Sequence, residues 1–105
     1  MANESVLVKA AMAIILDAGD ARNYIQGAVK AYVRGDVTEM EANFARAEAA
    51  IRQAHQSQTE VVQAEAAGEQ FDYSLLMTHA MDTLMTIMSE LHQTKNMIMI
   101  DRKEG

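Results

Sequence analysis

An imidazole and a carboxylate stand three residues apart in the run Leu76-Met77-Thr78-His79-Ala80-Met81-Asp82-Thr83-Leu84-Met85-Thr86. The run reads as helix, and a spacing of three puts His79 and Asp82 on about the same face at about the same depth. Imidazole is the side chain best suited to carry a phosphoryl group or a proton near neutral pH. A carboxylate on its face can orient it, share a metal with it, or serve a separate site. Little other catalytic chemistry is present. There is no Cys, which excludes disulfides, thiol catalysis and thiolate metal sites. His55 reads as a structural or exposed histidine, and His92 as an interface residue rather than a ligand.

The elements that must position this pair follow from composition. A chain of 105 residues makes one domain, spanning 1–105. Half of its residues are apolar, 5% are aromatic, and there are 5 Gly and no Pro. Strong helix formers are abundant and β-branched and aromatic residues sparse, so the expectation is all-α. The nine Met residues suit irregular gaps in a core of small side chains. A core this small gains from self-association. The net charge of −6 argues against nucleic acid or an anionic membrane surface as partner. No apolar run approaches the roughly 18 residues of a spanning helix, so no membrane insertion is expected. The N-terminus has no basic n-region, and a cytoplasmic protein is the expectation.

Three helices are expected, at about 4–34, 37–67 and 73–101. In the first, Leu7, Ala11, Ile14, Ala18, Ala21, Ile25, Ala28 and Tyr32 recur at alternating steps of three and four, which marks one buried face. Gly35 suits its C-terminus. Gly19 and Gly27 inside it are either tolerated glycines or points of close backbone packing. The second helix is capped by Asp36 or by a Thr38–Glu41 box. Its seam is Val37, Met40, Phe44, Ala47, Ile51, Ala54 and Val61, with Gln58 on the seam and in need of partners. Gly68 ends it. Ser74 or Asp72 caps the third helix, whose core face is Leu76, Ala80, Leu84, Ile87, Leu91 and Ile98. Joints this short dictate an up-down-up antiparallel bundle.

The third helix carries another stripe: Leu75, Thr78, Asp82, Met85, Ser89, His92, Asn96 and Met99. A solvated face would be rich in Lys and Glu, and this one holds neither. It reads as a wet self-association seam, with third helices side by side around an axis. Copies of Asp82 then meet there, and like carboxylates that converge must be protonated or neutralised by a cation. An oxygen-only site completed by water suits a hard ion such as Mg²⁺. His79 falls at the edge of the seam, within reach of a partner.

These features resemble the IIA component of the lactose/cellobiose/diacetylchitobiose class of the phosphoenolpyruvate-dependent sugar phosphotransferase system. The resemblance runs through Ala18-Gly19-Asp20-Ala21-Arg22, Gly35-Asp36, Ala54-His55-Gln56-Ser57-Gln58-Thr59, Gly68-Glu69 and Tyr73-Ser74 to His79-Ala80-Met81-Asp82-Thr83-Leu84-Met85-Thr86. It implies a homotrimer of three-helix subunits, a nine-helix bundle. It implies His79 as the phosphorylated residue and Asp82 as the ligand of one axial ion shared by three chains. The implied partners are the phosphocarrier HPr as donor and the cysteine of a IIB component as acceptor, serving disaccharide uptake. Two positions depart from the family's usual His-Ala/Gly-Gln-Asp-His-Leu-Met-Thr: Met81 replaces the glutamine and Thr83 the second histidine. The Thr83 hydroxyl is four residues on, where it either reaches a phosphoryl oxygen or bonds its own helix backbone. Thr78 and Thr83 are the nearest candidate hydroxyl donors. Asp20 and Arg22 form a structural pair or frame the neighbouring cleft. The alternative to a phosphocarrier is a catalytically quiet helical trimer with a regulatory or protein-binding role.

Overall fold

The structure, a computed structural model, describes residues 2–104, with side-chain surroundings from Val6 onward; Met1 and Gly105 lie outside the described residues. Three helices account for nearly all of it: α1 (Ala2–Val33), α2 (Val37–Ala66) and α3 (Leu75–Glu104). They pack up-down-up into a rod of 55 × 21 × 18 Å. The expected elements are all present. The differences lie at the ends: α3 starts two residues later than expected, because Ser74 caps it, and it runs on to Glu104.

Local chemistry at the joints makes them short. Gly35 has φ +83° and Gly68 φ +104°, left-handed conformations that cost glycine nothing. At the first joint Asp36 N donates to Ala31 O (2.8 Å) and Gly35 N to Tyr32 O (3.0 Å). At the second, Glu69 N donates to Ala64 O (3.0 Å) and Gly68 N to Glu65 O (3.1 Å). Both are Schellman closures, which satisfy carbonyls that the helix end leaves open. Asp36 closes α1 and opens α2 at once, since its carboxylate accepts from Glu39 N at 3.0 Å. The alternative cap at Thr38 is not used. Ser74 Oγ accepts from Met77 N at 3.1 Å and fixes where α3 begins.

α1 is the central element. It lies along α2 and α3, whereas α2 and α3 meet only briefly. Its buried face is mostly alanine (Ala11, Ala18, Ala21, Ala28 and Ala31), which lets α2 approach with its own Ala47, Ala50 and Ala54. Ile14, Leu84 and Ile87 fill the centre. Among the described residues no polar side chain is buried, so apolar shape alone defines the core. Three expected seam positions differ. Ala31 takes the buried place and Tyr32 sits half-buried; Met77 is buried where Leu76 is only half so; Val37 is exposed in the first turn of α2. The cause is phase: a strict seven-residue repeat drifts against 3.6 residues per turn, so its ends rotate off the core. Gln58 is half-buried in an open groove, and no buried side-chain N or O atom lacks a partner among the described residues.

The two internal glycines separate. A Cβ on Gly19 would meet nothing within 4 Å, but one on Gly27 would lie 2.8 Å from Asn43 Oδ1. Asn43 is held there because its Nδ2 donates to Glu39 O at 3.0 Å and to Glu39 Oε1 at 3.1 Å. Alanine normally gains up to about 1 kcal/mol over glycine inside a helix. Gly27→Ala forgoes that gain, because Asn43 must give way. Denaturant unfolding should show Gly27→Ala stabilising in an Asn43→Ala background and not in the native one.

Polar ties join α3 to its neighbours. Arg22 grips Glu90 with both arms, Nη2 to Oε2 at 2.6 Å and Nε to Oε1 at 3.1 Å. Arg22 is thus an α1–α3 clasp and not the partner of Asp20. Lys95 bonds Glu48, and its ammonium stands 5.5 Å from the centre of the Phe44 ring. The Tyr32 hydroxyl donates to Asp101, which raises the phenol above its ordinary value of 10.0. A group whose folded pKa is raised contributes stability below its unfolded pKa, and that stability is lost as pH rises through the folded value. Tyr32→Phe should therefore flatten the alkaline loss of stability above pH 10, read as thermal midpoint against pH.

Candidate functional site

The Ser74 cap starts α3, and His79 follows in its second turn. The ring is exposed, and no side chain among the described residues bonds it. An exposed, unrestrained imidazole can present a ring nitrogen to another molecule, but nothing among the described residues orients it. Asp82 lies one turn further along and is also exposed, with its carboxylate unpaired.

The threonines around this pair are all turned back onto their own helix. Thr83 Oγ1 donates to His79 O at 2.8 Å, Thr86 Oγ1 to Asp82 O at 2.9 Å and Thr78 Oγ1 to Ser74 O at 3.1 Å. Of the two roles expected for Thr83, the structure has the backbone bond. The hydroxyl protons of Thr78 and Thr83, the candidate donors nearest the ring, are committed to these carbonyls. No Lys or Arg occurs between Leu75 and Thr94, so this stretch of α3 brings no cation of its own.

The outer stripe of α3 faces solvent in the single chain. Leu75, Met85 and Met99 are 74%, 63% and 62% exposed, and Asp82, Ser89, His92 and Asn96 are exposed between them. Sequence reasoning overlooked a second outward strip on α1. Val8, Met12 and Leu16 recur every fourth residue off the buried face, and all are about half exposed or more. The signal was present as apolar residues at helical spacing outside the core seam. Among the described residues, no three His, Cys, Asp or Glu side chains gather within one chain. A cation site at Asp82 therefore needs carboxylates from further copies. His55 is half-buried with Nε2 3.1 Å from Met88 Sδ, across α2 and α3. His92 is exposed on the outer stripe.

The family model for the "PTS system, Lactose/Cellobiose specific IIA subunit" matches residues 9–102. The chain belongs to this IIA family. The lactose-specific EIIA component of Lacticaseibacillus casei is 34% identical over 98 residues, covering 93% of this chain and 88% of that protein. The oligo-beta-mannoside-specific EIIA component of Bacillus subtilis is 36% identical over 85 residues, 81% of this chain and 77% of that one. The N,N'-diacetylchitobiose-specific EIIA component of Escherichia coli K12 is 32% identical over 82 residues, 78% and 71% of the two chains. The crystal structure of the cellobiose-specific enzyme IIA from Bacillus anthracis superposes with a TM-score of 0.85 at 31% identity, covering 92% of this chain and 89% of that one. The IIA subunit is thus a phosphotransferase-system component in its chemistry and a three-helix bundle in its architecture. No helix among its described residues is long and apolar enough to cross a membrane.

Proposed function

We propose that this IIA subunit is a phosphocarrier of disaccharide uptake, with His79 as the residue that holds the phosphoryl group. The observation that carries the reading is the exposed, unbonded His79 imidazole in the second turn of α3, in a chain of the IIA family. The donor is the phosphohistidine of HPr and the acceptor the cysteine of a IIB component. The sugar is of the lactose, cellobiose or chitobiose type, as the names of the relatives suggest.

In the first step the lone pair of one His79 ring nitrogen, Nε2 by family resemblance, attacks the phosphorus in line. A new N–P bond forms on His79 as the N–P bond on the donor breaks, and the other His79 ring nitrogen keeps its proton throughout. In the second step a cysteine thiolate of IIB attacks the same phosphorus, and His79 leaves as a neutral imidazole. Such transfers ask for positioning and charge stabilisation more than covalent assistance. The α3 N-terminus supplies modest positive potential one turn away. With no cation on this stretch of α3, the neutralising charge comes from the docked partner. A chain with a net charge of −6 suits a basic donor surface.

The assembly we propose is a homotrimer with the third helices around the axis. The charge-poor α3 stripe and the outward strip Val8–Met12–Leu16 support it, since both leave apolar side chains in water in a single chain. Asp82 from each chain would hold one shared Mg²⁺. The exposed, unpaired carboxylates offer an oxygen-only set that fits a hard ion. The ion's contribution is to neutralise like charges at the axis.

The experiment is transfer in both directions. The IIA subunit loaded from phosphoenolpyruvate, enzyme I and HPr should lose its phosphate when a IIB domain with an intact cysteine is added, and keep it when that cysteine is replaced by serine. A competing reading, a catalytically quiet trimer, draws on the committed Thr83 hydroxyl. It predicts the same assembly and no loading.

A further inference from the structure

We infer that the groove between the C-terminal end of α2 and the start of α3 receives the α1 strip Val8–Met12–Leu16 of a second copy, and that this contact lets Glu65 of one copy orient the His79 imidazole of the next. Both halves rest on the proposed trimer and on His79 as the phosphoryl carrier. The groove is lined by Gln58, Val61, Val62 and Glu65 of α2, Phe71 of the joint and Met81 of α3. Val62 is 54% exposed there, and Phe71 and Met81 are half-buried. Its α2 wall from Gln58 to Glu65 is about 11 Å long at 1.5 Å per residue, and the strip from Val8 to Leu16 about 12 Å. Ridge and groove match in length.

The flanks match as well. α1 and α2 lie on opposite flanks of α3: Arg22 reaches Glu90 on one, and His55 meets Met88 on the other. Val8 lies about four turns before Arg22, so the strip begins on the α3-facing side of α1 and turns outward from it. His79 lies about three turns before Glu90, on the same flank of α3. Rotation about an axis along α3 brings this flank of one copy against the α2–α3 flank of the next, a heterologous contact that closes as a ring.

Rotation leaves heights along the axis unchanged, and the heights agree. The ties Arg22–Glu90 and Tyr32–Asp101 span 68 and 69 residues, which puts Met12 level with Ala80 and Met81. The contacts His55–Met88 and Glu48–Lys95 join antiparallel helices, and they put Val62 level with Met81 and Glu65 level with Thr78. Met12 of one copy thus arrives at Val62 and Met81 of the next, and His79 arrives beside Glu65. Glu65 is exposed and has no ion pair among the described residues. No Lys or Arg occurs between Arg52 and Lys95, so its own stretch of chain brings it no cation. One nitrogen of the His79 ring must keep its proton while the other attacks. A carboxylate that accepts the N–H fixes which nitrogen is which and holds the ring in place. Glu65 is thus a positioning residue, supplied across the interface.

Cross-linking tests the contact, since the native chain has no Cys. Met12→Cys with Val62→Cys in one chain should give covalent trimers on mild oxidation, and each variant alone should give none. Both positions are exposed in the single chain, so the fold is spared. Mixing tests Glu65. Glu65→Ala should load from phospho-HPr at least tenfold more slowly at saturating donor, with KM unchanged, and His79→Ala should not load at all. Trimers reassembled from equal parts of the two should recover fast loading, because a Glu65→Ala chain then meets an intact Glu65 on its neighbour. A native trimer that loads phosphate while the double-cysteine chain stays uncrosslinked overturns the contact alone. Native-rate loading by Glu65→Ala, or a mixture no faster than Glu65→Ala by itself, overturns the role of Glu65. A native chain that takes up no phosphate, or that stays monomeric, overturns the proposed function and this inference with it.

Discussion

His79→Ala should take up no phosphoryl group from phospho-HPr, while its helical content and assembly should stay native. The loss is complete because no other side chain is placed to substitute. His55 is half-buried against Met88, His92 lies more than three turns along α3, and there is no Cys. Stability is spared because the ring is exposed and bonds nothing, and such surface changes usually stay within about 0.5 kcal/mol. Transfer assays beside thermal unfolding separate the two effects. A variant that still loads would move the chemistry to another residue. A variant that unfolds would show His79 to be structural instead.

The second large effect concerns the axis. Sedimentation should give a particle of three chains, each of 11.6 kDa. Met85→Lys should convert it to monomers. Met85 is 63% exposed in the single chain and lies on the outer stripe, so in the proposed trimer three like-charged lysines would be brought together around the axis. Asp82→Leu acts differently. It replaces repelling carboxylates by apolar groups, so the trimer should persist while its ion is lost. Elemental analysis of the isolated trimer reads the ion directly. A trimer that keeps its ion after Asp82→Leu would reject the axial site, and monomers in the native protein would reject the assembly.

Much of the fold was legible because its signals are local. Gly35, Gly68 and Asp36 announce helix ends by their own backbone and side-chain chemistry, and the structure uses all three as caps and closures. The alternating three-and-four spacing of Ala11, Ile14, Ala18, Ala21 and Ile25 marks a buried face before any partner is known. What was not legible depends on register between helices. Arg22 meets Glu90, 68 residues away, rather than the nearby Asp20. Gly27 matters because Asn43 lies across from it, and nothing in either helix alone says so. The seam ends drifted as well, with Met77 buried more deeply than Leu76, because a seven-residue pattern accumulates phase error over a helix of 30 residues.

At the candidate site the same division holds. That His79 and Asp82 share a helix follows from spacing, and their common exposure from their place off the core face. The state of the neighbouring hydroxyls did not follow. Thr78, Thr83 and Thr86 each had a choice between outward donation and the carbonyl four residues back, and all three took the carbonyl. A helix always offers that carbonyl within reach of the threonine hydroxyl, whatever lies outside it.

Intact mass of the chain at alkaline pH, after incubation with phosphoenolpyruvate, enzyme I and HPr, bears most directly on His79. The result expected is a single added phosphoryl group, lost on acidification and mapped by fragmentation to the His79 peptide. An unmodified mass, or a phosphate on any other residue, would contradict it.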